Sequence, residues 1–261
     1  VSTEFFISPS RDTVTEFPSV KSRNNNIRWL TSEEEFYSYM QDIPFTLFND
    51  TVILKGDLLL EPSGLSGNGD IDLVAADLKS DRFDFLHHRI LSDTADFELK
   101  STLSDKLAIN TTNLRTDIDF EEKNGEFFSN EEFTLVEFPE ILYNSYLDYF
   151  KWNMLGQNID MGLNEPVLRQ VAGSEDGLSG PRYYSLRSDQ DSLNFVSPSA
   201  SYDYKENLLN VKEVPYIQIA DARITPGDGA MIIRANAEID PLENAGILKK
   251  KKKKNYELFN A

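Results

Sequence analysis

The sequence predicts a mainly β fold, and three observations support this expectation. Across residues 51–133, apolar and polar residues alternate in short runs, which places the apolar side chains on one face of a strand. Polar or glycine-containing turns close these runs. Related phrases also recur, with Leu78, Phe97 and Leu114 spaced 19 and 17 residues apart. The stretch is therefore predicted to form a train of short strands, that is, a series of consecutive strands joined by turns.

A hairpin signal lies within this train. Asn124 and Gly125 stand between two alternating runs, and an Asn-Gly pair in that position is typical of a tight type I′ turn. The expected hairpin pairs residues 117–122 with residues 126–129. At least one connection is therefore predicted to be antiparallel.

The repeat spacing indicates how these strands are assembled. Units of this length cannot bury their own apolar face, so they must stack on neighbouring units. We expect a β-solenoid or an elongated open jelly roll. The irregular spacing and the hairpin leave a compact β-sandwich as the alternative.

One or two short helices are expected to interrupt the β pattern. Within residues 31–40, a Thr-Ser pair and three glutamates precede aromatic residues at helical spacing. Across residues 138–163, apolar residues recur at roughly helical intervals, and Gly156 is a suitable cap. The alternative for the second segment is an aromatic-rich strand, because its tyrosines and Trp152 favour β structure.

The pattern divides the chain into four segments. Residues 1–44 form an extension with a short helix, and residues 45–163 form a first β unit that ends in the aromatic helix. Residues 164–181 are a polar, glycine-rich linker, and residues 182–261 form a second β unit. Neither end looks like a natural terminus, so we expect a fragment that continues beyond residue 261.

Composition narrows the classes of function. The chain of 261 residues carries a net charge of −18, which argues against a nucleic-acid surface and against binding to anionic membranes. It has no cysteine, which excludes disulfides and zinc-thiolate sites. The apolar runs are too short for a transmembrane helix, so no membrane insertion is expected. The acidity itself favours solubility.

The two histidines do not form a recognisable catalytic set. His87 and His88 are adjacent, so on a strand they point to opposite faces and cannot chelate one metal ion. The chain also lacks the G-x-S-x-G, Walker A, G-x-G-x-x-G and H-E-x-x-H motifs. The expectation is a polar position at a strand edge, with no catalytic residue.

A group of aspartates bears a faint likeness to a calcium loop. Asp70, Asp72 and Asp77 lie near the glycine-rich residues 67–69, but the spacing of an EF-hand loop is absent. Asp228 stands alone in its turn. Surface carboxylates are the favoured interpretation, and neither a metal site nor a cofactor is predicted.

An aromatic cluster is the remaining candidate. Tyr143, Tyr146, Tyr149 and Trp152 could form a platform for a sugar or a peptide. Aromatic side chains are more often buried in a core, so that interpretation is favoured. Binding residues therefore stay unassigned.

Several phrases carry a resemblance. GDLLLEPSGLSGNGDIDLVAADLKSDRFDF, DTADFELKS and NTTNLRTDIDFEEKNGEFFSN resemble segments of very long, β-rich envelope proteins of Bacteroidota that lack an assigned activity. This resemblance covers most of residues 45–261. Residues 200–203 (ASYD), followed by 207–209 (NLL), bear a weaker resemblance to the OstA-type repeats of lipopolysaccharide-transport jelly rolls. The resemblance implies a location in the periplasm or at the cell surface.

The leading functional hypothesis is a non-enzymatic structural or binding segment of a large cell-envelope assembly. Its partners would be other segments of the same long chain or other envelope proteins. One alternative is a groove that carries a lipid or a glycan, which predicts an apolar inner surface open to solvent. Another is a glycan-processing β-helix enzyme, which predicts acidic and basic residues clustered in one cleft.

Overall fold

The computed structural model of the chain describes residues 3–11, 15–162, 180–251 and 254–258, and describes side chains as far as Lys249. The mainly β fold class is confirmed. The pairings between the described strands are antiparallel, which fits the open-sheet and sandwich forms of the prediction. The described helical structure consists of two 3-10 turns of three residues each, Ser188–Gln190 and Ala235–Ala237.

The chain contains two compact units, and the first comprises residues 1–100 and 112–130. Its strands, with β11 running on into the second unit, are β1 (Thr3–Ile7), β2 (Ser10–Arg11), β3 (Glu16–Phe17), β4 (Val20–Leu30), β5 (Glu35–Met40), β6 (Phe45–Leu47), β7 (Val52–Glu61), β8 (Gly64–Asp72), β9 (Ala76–Phe85), β10 (Arg89–Lys100), β11 (Leu107–Asp119) and β12 (Asn124–Ser129).

The first unit is a meander. Strand β4 pairs with β1 on one side and with β5 and β6 on the other. Strand β7 pairs with β5 and β6 and then with β8, and the order continues through β9 to β10. Such neighbour-to-neighbour pairing requires only short connections, which the turns of the sequence supply.

Alternation along these strands aligns the apolar residues in rows across the sheet. One row consists of cross-strand neighbours that are each 1% exposed or less. Its members are Phe45, Leu54, Ile71, Leu78 and Phe97. The period of two in the sequence thus becomes a continuous apolar layer.

Small residues lie where these ladders change register. Gly56 pairs with Gly69, and a Cβ on Gly56 would lie 1.8 Å from the carbonyl oxygen of Asn68, so only glycine fits. Further along, the buried hydroxyls of Ser80 and Ser92 lie 2.9 Å apart. They also reach backbone carbonyls of the two strands, Ser80 that of Thr94 at 2.5 Å and Ser92 that of Arg82 at 2.9 Å. These serines satisfy backbone groups that an interrupted ladder would leave buried and unpaired.

The second unit comprises residues 101–111 and 131–261. Its own strands are β13 (Thr134–Phe138), β14 (Tyr143–Leu147), β15 (Tyr149–Asn153), β16 (Asn158–Gly162), β17 (Arg182–Ser185), β18 (Asn194–Val196), β19 (Ser199–Asp203), β20 (Leu208–Lys212), β21 (Ile217–Ile219), β22 (Ala222–Thr225), β23 (Met231–Arg234), β24 (Glu238–Ile239), β25 (Gly246–Lys251) and β26 (Lys254–Leu258).

Two ladders share the strands of this second unit. The first runs β13–β14–β17–β18–β21–β22–β25–β26. The second runs β15–β16–β19–β20–β23–β24. Two consecutive strands lie in one ladder and the next two lie in the other. The chain therefore passes from one ladder to the other after every second strand.

The inner face of the second ladder is an apolar row that is 2% exposed or less, formed by Trp152, Ile159, Tyr202, Leu209 and Ile233. A buried serine again lies where the chain passes between ladders. The hydroxyl of Ser197, between β18 and β19, faces the carbonyl oxygens of Ser199 and Lys212 at 2.8 and 2.6 Å. Both units thus use serine at their strand junctions.

The short helix predicted within residues 31–40 is wrong. Residues 31–34 form a turn, and Glu35–Met40 is strand β5, which pairs with β4 and β7. Phe36, Tyr37 and Tyr39 have high β preference, and two neighbouring strands are available to pair with them. Tertiary pairing therefore overrides the helical spacing.

The helix predicted within residues 138–163 is also wrong, and the aromatic-rich strand that was its alternative is what forms. Tyr143–Leu147 and Tyr149–Asn153 are strands, and Gly156 lies in the turn between β15 and β16. The burial of these strands alternates residue by residue, which is the period of a strand. The spacing of the aromatic residues in this segment fits the period of a helix as well as that of a strand.

The hairpin at residues 117–129 is confirmed, although its turn is displaced. Asp119 pairs with Asn124 and Ile118 with Gly125, so the Asn-Gly pair belongs to β12 and residues 120–123 make the turn. A Cβ on Gly125 would lie 3.0 Å from the ring of Phe127. The absence of a side chain at Gly125 therefore leaves room for the ring of Phe127.

The compact units divide the chain differently from the segments drawn on the sequence. Strands β4 and β5 of the predicted extension pair directly with β6 and β7 of the predicted first β unit, and all four lie within one compact unit. Most of the predicted linker, residues 164–179, lies outside the described residues.

Candidate binding surface

The outer face of the first unit carries rows of alternating charge. Lys55, Asp70, Lys79 and Asp96 are cross-strand neighbours along β7, β8, β9 and β10. They line a shallow, open depression of about 440 Å³. Opposite charges on adjacent strands support the pairing and leave little uncompensated charge.

Two of the sequence-predicted aspartates lie in the next row. Asp72 and Asp77 face each other across β8 and β9, and the Nζ of Lys100 lies 3.1 Å from Asp72 and 2.8 Å from Asp77. The backbone N–H of Val74, which donates to Asp72, and the Lys100 ammonium hold the pKa of Asp72 below its usual range. A lysine thus occupies the position that a cation would take.

Asp228, the candidate carboxylate in a separate turn, stabilises that turn. Asp228 accepts the backbone N–H of Ala230 at 3.0 Å, which closes its turn. Within the described part of the chain, no group of three or more histidine, aspartate or glutamate side chains is arranged to hold a metal ion.

The histidines lie in the turn between β9 and β10. The Nε2 of His88 is 3.5 Å from a carboxylate oxygen of Asp119 and 3.6 Å from one of Glu121. The two imidazole rings are perpendicular, with centroids 5.9 Å apart. Among the described residues, no serine hydroxyl makes a hydrogen bond to His87 or His88, so the arrangement of a nucleophile beside a base is not formed there.

The aromatic candidates are separated by strand alternation. Tyr143 and Trp152 are fully buried, whereas Tyr146 is 49% exposed and contacts Tyr184 edge to face at 6.3 Å. Tyr149 is half-buried. The four side chains therefore do not form one platform, and the favoured core interpretation describes two of them.

A surface that the sequence did not reveal lies on the first unit. One inner-face row opens gradually towards β4, with Trp29 66% exposed, Phe36 and Leu60 half-buried, and Leu65 and Phe85 3% exposed or less. These residues are neighbours across β4, β5, β7, β8 and β9. We call this set the edge row.

The edge row is most exposed beyond the part of β4 that pairs with β1. β1 has five residues and β4 has eleven, and the pairing reaches only from Val20 to Asn25. Residues 27–30, which we call the β4 ledge, are paired with β5 on one side and with no other described strand. On the ledge, Ile27 is 37% exposed and Trp29 is 66% exposed.

A backbone irregularity turns these side chains inward. Asn24 has a φ of 52°, and after it the buried positions change from Val20 and Ser22 to Asn25. Ile27 and Trp29 follow Asn25 at the alternate positions and so share its inner face. The Trp29 ring meets that of Phe36 edge to face at 6.1 Å. Residues 24–26 (Asn-Asn-Asn) thus lie within one continuous strand and contain this irregularity.

The outer face of β4 carries two exposed arginines. Arg28 and Arg23 are exposed, and within the described residues neither makes an ion pair. Their neighbour Lys21 is already paired with Asp50.

No family model, curated protein or solved structure matches this chain. The described part of the structure also contains no helix that is long and apolar enough to cross a membrane.

Proposed function

We propose that this chain is a non-enzymatic structural segment of a larger cell-envelope assembly, located in the periplasm or at the cell surface. Its partners are other segments of the same long chain or other envelope proteins. The observation that carries the proposal is a pair of units, each with a filled apolar interior. The envelope location rests on the resemblance of residues 45–261.

The filled interior supports a structural function over a carrier function. In both units, apolar rows of five residues are 2% exposed or less. A lipid carrier needs apolar surface that its ligand can reach. The exposed apolar residues of the edge row lie only at the margin of one sheet.

The charged outer face supports the same proposal over a glycan-processing enzyme. The carboxylates of the depression are interleaved with three lysines, and Lys100 contacts two of them. Hydrolysis of a glycoside requires two carboxyl groups with divergent pKa values that both face the substrate. Compensated ladders of charge hold strands in register instead.

Chemical cross-linking in intact cells that produce the full-length protein tests this proposal. We expect the protein to fractionate with the envelope and to yield cross-links to neighbouring envelope chains. Solvent extraction of the purified protein followed by mass spectrometry should release no lipid at a ratio of about one per chain. A stoichiometric lipid, or cleavage of a panel of envelope glycans, would contradict the proposal.

A further inference from the structure

We propose that residues 48–50 form a strained latch that closes one end of the first unit, and that release of this latch is the first reversible opening of the unit. These three residues, which we call the latch turn, join β6 to β7 and hold the β11–β12 turn. Release uncovers the end of the apolar layer at Leu47 and Val52, which are both fully buried. This conformational device goes beyond the proposed function, and neither proposal depends on the other.

The backbone of the latch turn provides the first argument. Phe48, Asn49 and Asp50 have φ values of 51°, 56° and 65°, so all three are left-handed. Residues other than glycine adopt this conformation singly and at a cost in free energy, because their Cβ atom crowds the following carbonyl oxygen. No other run of three occurs among the described residues. The latch turn therefore stores strain that an ordinary hairpin turn lacks.

The contacts of the latch turn provide the second argument, because a strained backbone persists only where its surroundings hold it. The N–H of Phe48 donates to the carbonyl oxygen of Ser19 at 3.0 Å, and the N–H of Asn49 donates to the Ser19 hydroxyl at 2.6 Å. The carboxylate of Asp50 pairs with Lys21 of β4. Bonds to β4 and to the residue before it thus hold every member of the turn.

The third argument is the element that the latch turn holds. The Phe48 side chain is 7% exposed, and its ring centroid lies 4.7 Å from that of Phe120 in the β11–β12 turn. Phe120 is fixed in turn, since its N–H donates to the carbonyl oxygen of His88 at 2.9 Å. Asp119 accepts the N–H of Glu121 at 2.8 Å and so closes the β11–β12 turn. One ring contact therefore joins two hairpins that are distant in sequence.

Strain and contact together make this end of the unit the first to open. Opening the latch breaks a few contacts and releases the strain. Opening the interior rows, by contrast, removes buried apolar residues from several strands at once. Native proteins open first where few contacts hold a segment. Because the latch turn and the β11–β12 turn share a contact, the two open together.

Native-state hydrogen exchange of the full chain tests the proposal with two variants at Asn49. Asn49 is exposed, and within the described residues its side chain makes no hydrogen bond, so a substitution there acts through the backbone. Asn49→Val places a β-branched residue in the left-handed conformation and should raise the opening of residues 120–122 at least about 10-fold. Asn49→Gly relieves the strain and should lower that opening at least about 3-fold.

Two further variants test the contact and the specificity of the effect. Phe120→Ala removes one ring and should speed exchange at the amides of Phe48 and Asn49 at least about 10-fold, while the interior amides of β8 and β9 keep their rates. Ser63→Val is the matched control, because Ser63 lies in an exposed turn and is not left-handed. It should leave exchange at residues 120–122 unchanged.

Several outcomes would overturn the inference. Equal exchange in Asn49→Val and Asn49→Gly would show that the turn stores no strain. Equal acceleration of the interior amides by Asn49→Val would show that the opening is global unfolding. Exchange at the latch turn that does not respond to Phe120→Ala would show that the two turns open independently. If Asn49→Val does not fold, Asn49→Gly and Phe120→Ala decide the inference by the same criteria.

Discussion

Each unit contains an apolar row that begins at a tryptophan, yet the two tryptophans have opposite environments. Trp152 starts the row of the second ladder in the second unit, is 2% exposed and donates its indole N–H to the hydroxyl of Tyr204 at 3.2 Å. Trp29 starts the edge row, is 66% exposed and contacts Phe36 through its ring. The same residue type in the same kind of row is a core residue in one unit and a surface residue in the other.

The difference shows that alternation along a strand does not by itself bury a row of apolar residues. Strand alternation decides which face a side chain occupies, but neighbouring strands decide whether that face is covered. At Trp152 the indole has both an apolar row and a hydrogen-bond acceptor. At Trp29 the indole contacts the ring of Phe36 and stays 66% exposed.

Replacing the two tryptophans should give the largest contrast. Trp152→Ala removes a fully buried ring and leaves the Tyr204 hydroxyl without its donor, so we expect a loss of about 3–5 kcal/mol of stability. Trp29→Ala removes a mostly solvated ring and should cost less than about 1 kcal/mol. Urea unfolding followed by far-UV circular dichroism measures both.

Equal costs for the two variants would contradict the comparison. Trp152→Phe serves as a control because it retains most of the ring volume and loses the indole N–H. It should fall between the wild-type chain and Trp152→Ala.

Alkaline unfolding should separate the two units. Burial raises the pKa of Tyr143, Tyr183 and Tyr202, all in the second unit, whereas the tyrosines of the first unit are only half-buried. Because the folded pKa is raised, the stabilising contribution is fully present below the unfolded pKa of about 10 and is lost as the pH rises above it. The second unit should therefore lose protection from hydrogen exchange first.

Tyr183→Phe removes one of these ionisable hydroxyls without removing its ring. It should move the alkaline unfolding midpoint of the second unit to higher pH. A midpoint that is unchanged, or exchange that begins in the first unit, would show that tyrosine ionisation does not drive the transition.

Alternation of residue type was enough to predict a mainly β fold and the hairpin of β11 and β12. It could not separate strand from helix across residues 138–163, where aromatic residues fit both periods. Two neighbouring strands of the same sheet settled the matter, and those partners are distant in sequence, as β14 and β17 show. Local patterns carry no information about such partners.

The candidate surface was less accessible from the sequence than the fold. The inward orientation of Ile27 and Trp29 depends on the positive φ of one residue, Asn24. Neither the strand register nor the extent of pairing is encoded in the local run of residues.

A smaller effect is expected at the serines that join strands in the first unit. Ser80 is buried and contacts Ser92 and the carbonyl of Thr94, so Ser80→Ala leaves a buried carbonyl with weaker pairing. We expect a cost of about 1–2 kcal/mol by urea unfolding. Ser63→Ala, at an exposed turn, should change stability by less than about 0.5 kcal/mol. Equal effects would mean that Ser80 does not stabilise this junction.

The smallest effect is expected on the charged outer face, where Lys100 is 36% exposed and Asp72 is 38% exposed. Lys100→Met leaves Asp72 and Asp77 facing each other without their shared cation. Because solvent screens groups so exposed, the cost near pH 7 should be below about 1 kcal/mol. It should be far less than the cost of Trp152→Ala, since apolar burial dominates folding.

The pH dependence of this variant identifies the charge as the cause. The pKa of Asp72 is lowered, first by the Val74 N–H and also by Lys100, so its stabilising contribution is present above the unfolded pKa of about 4 and is lost as the pH falls. The stability difference between the wild-type chain and Lys100→Met should therefore shrink between about pH 6 and pH 3. A difference that stays constant over this range would mean that Lys100 acts through the packing of its alkyl chain and not through its ion pairs.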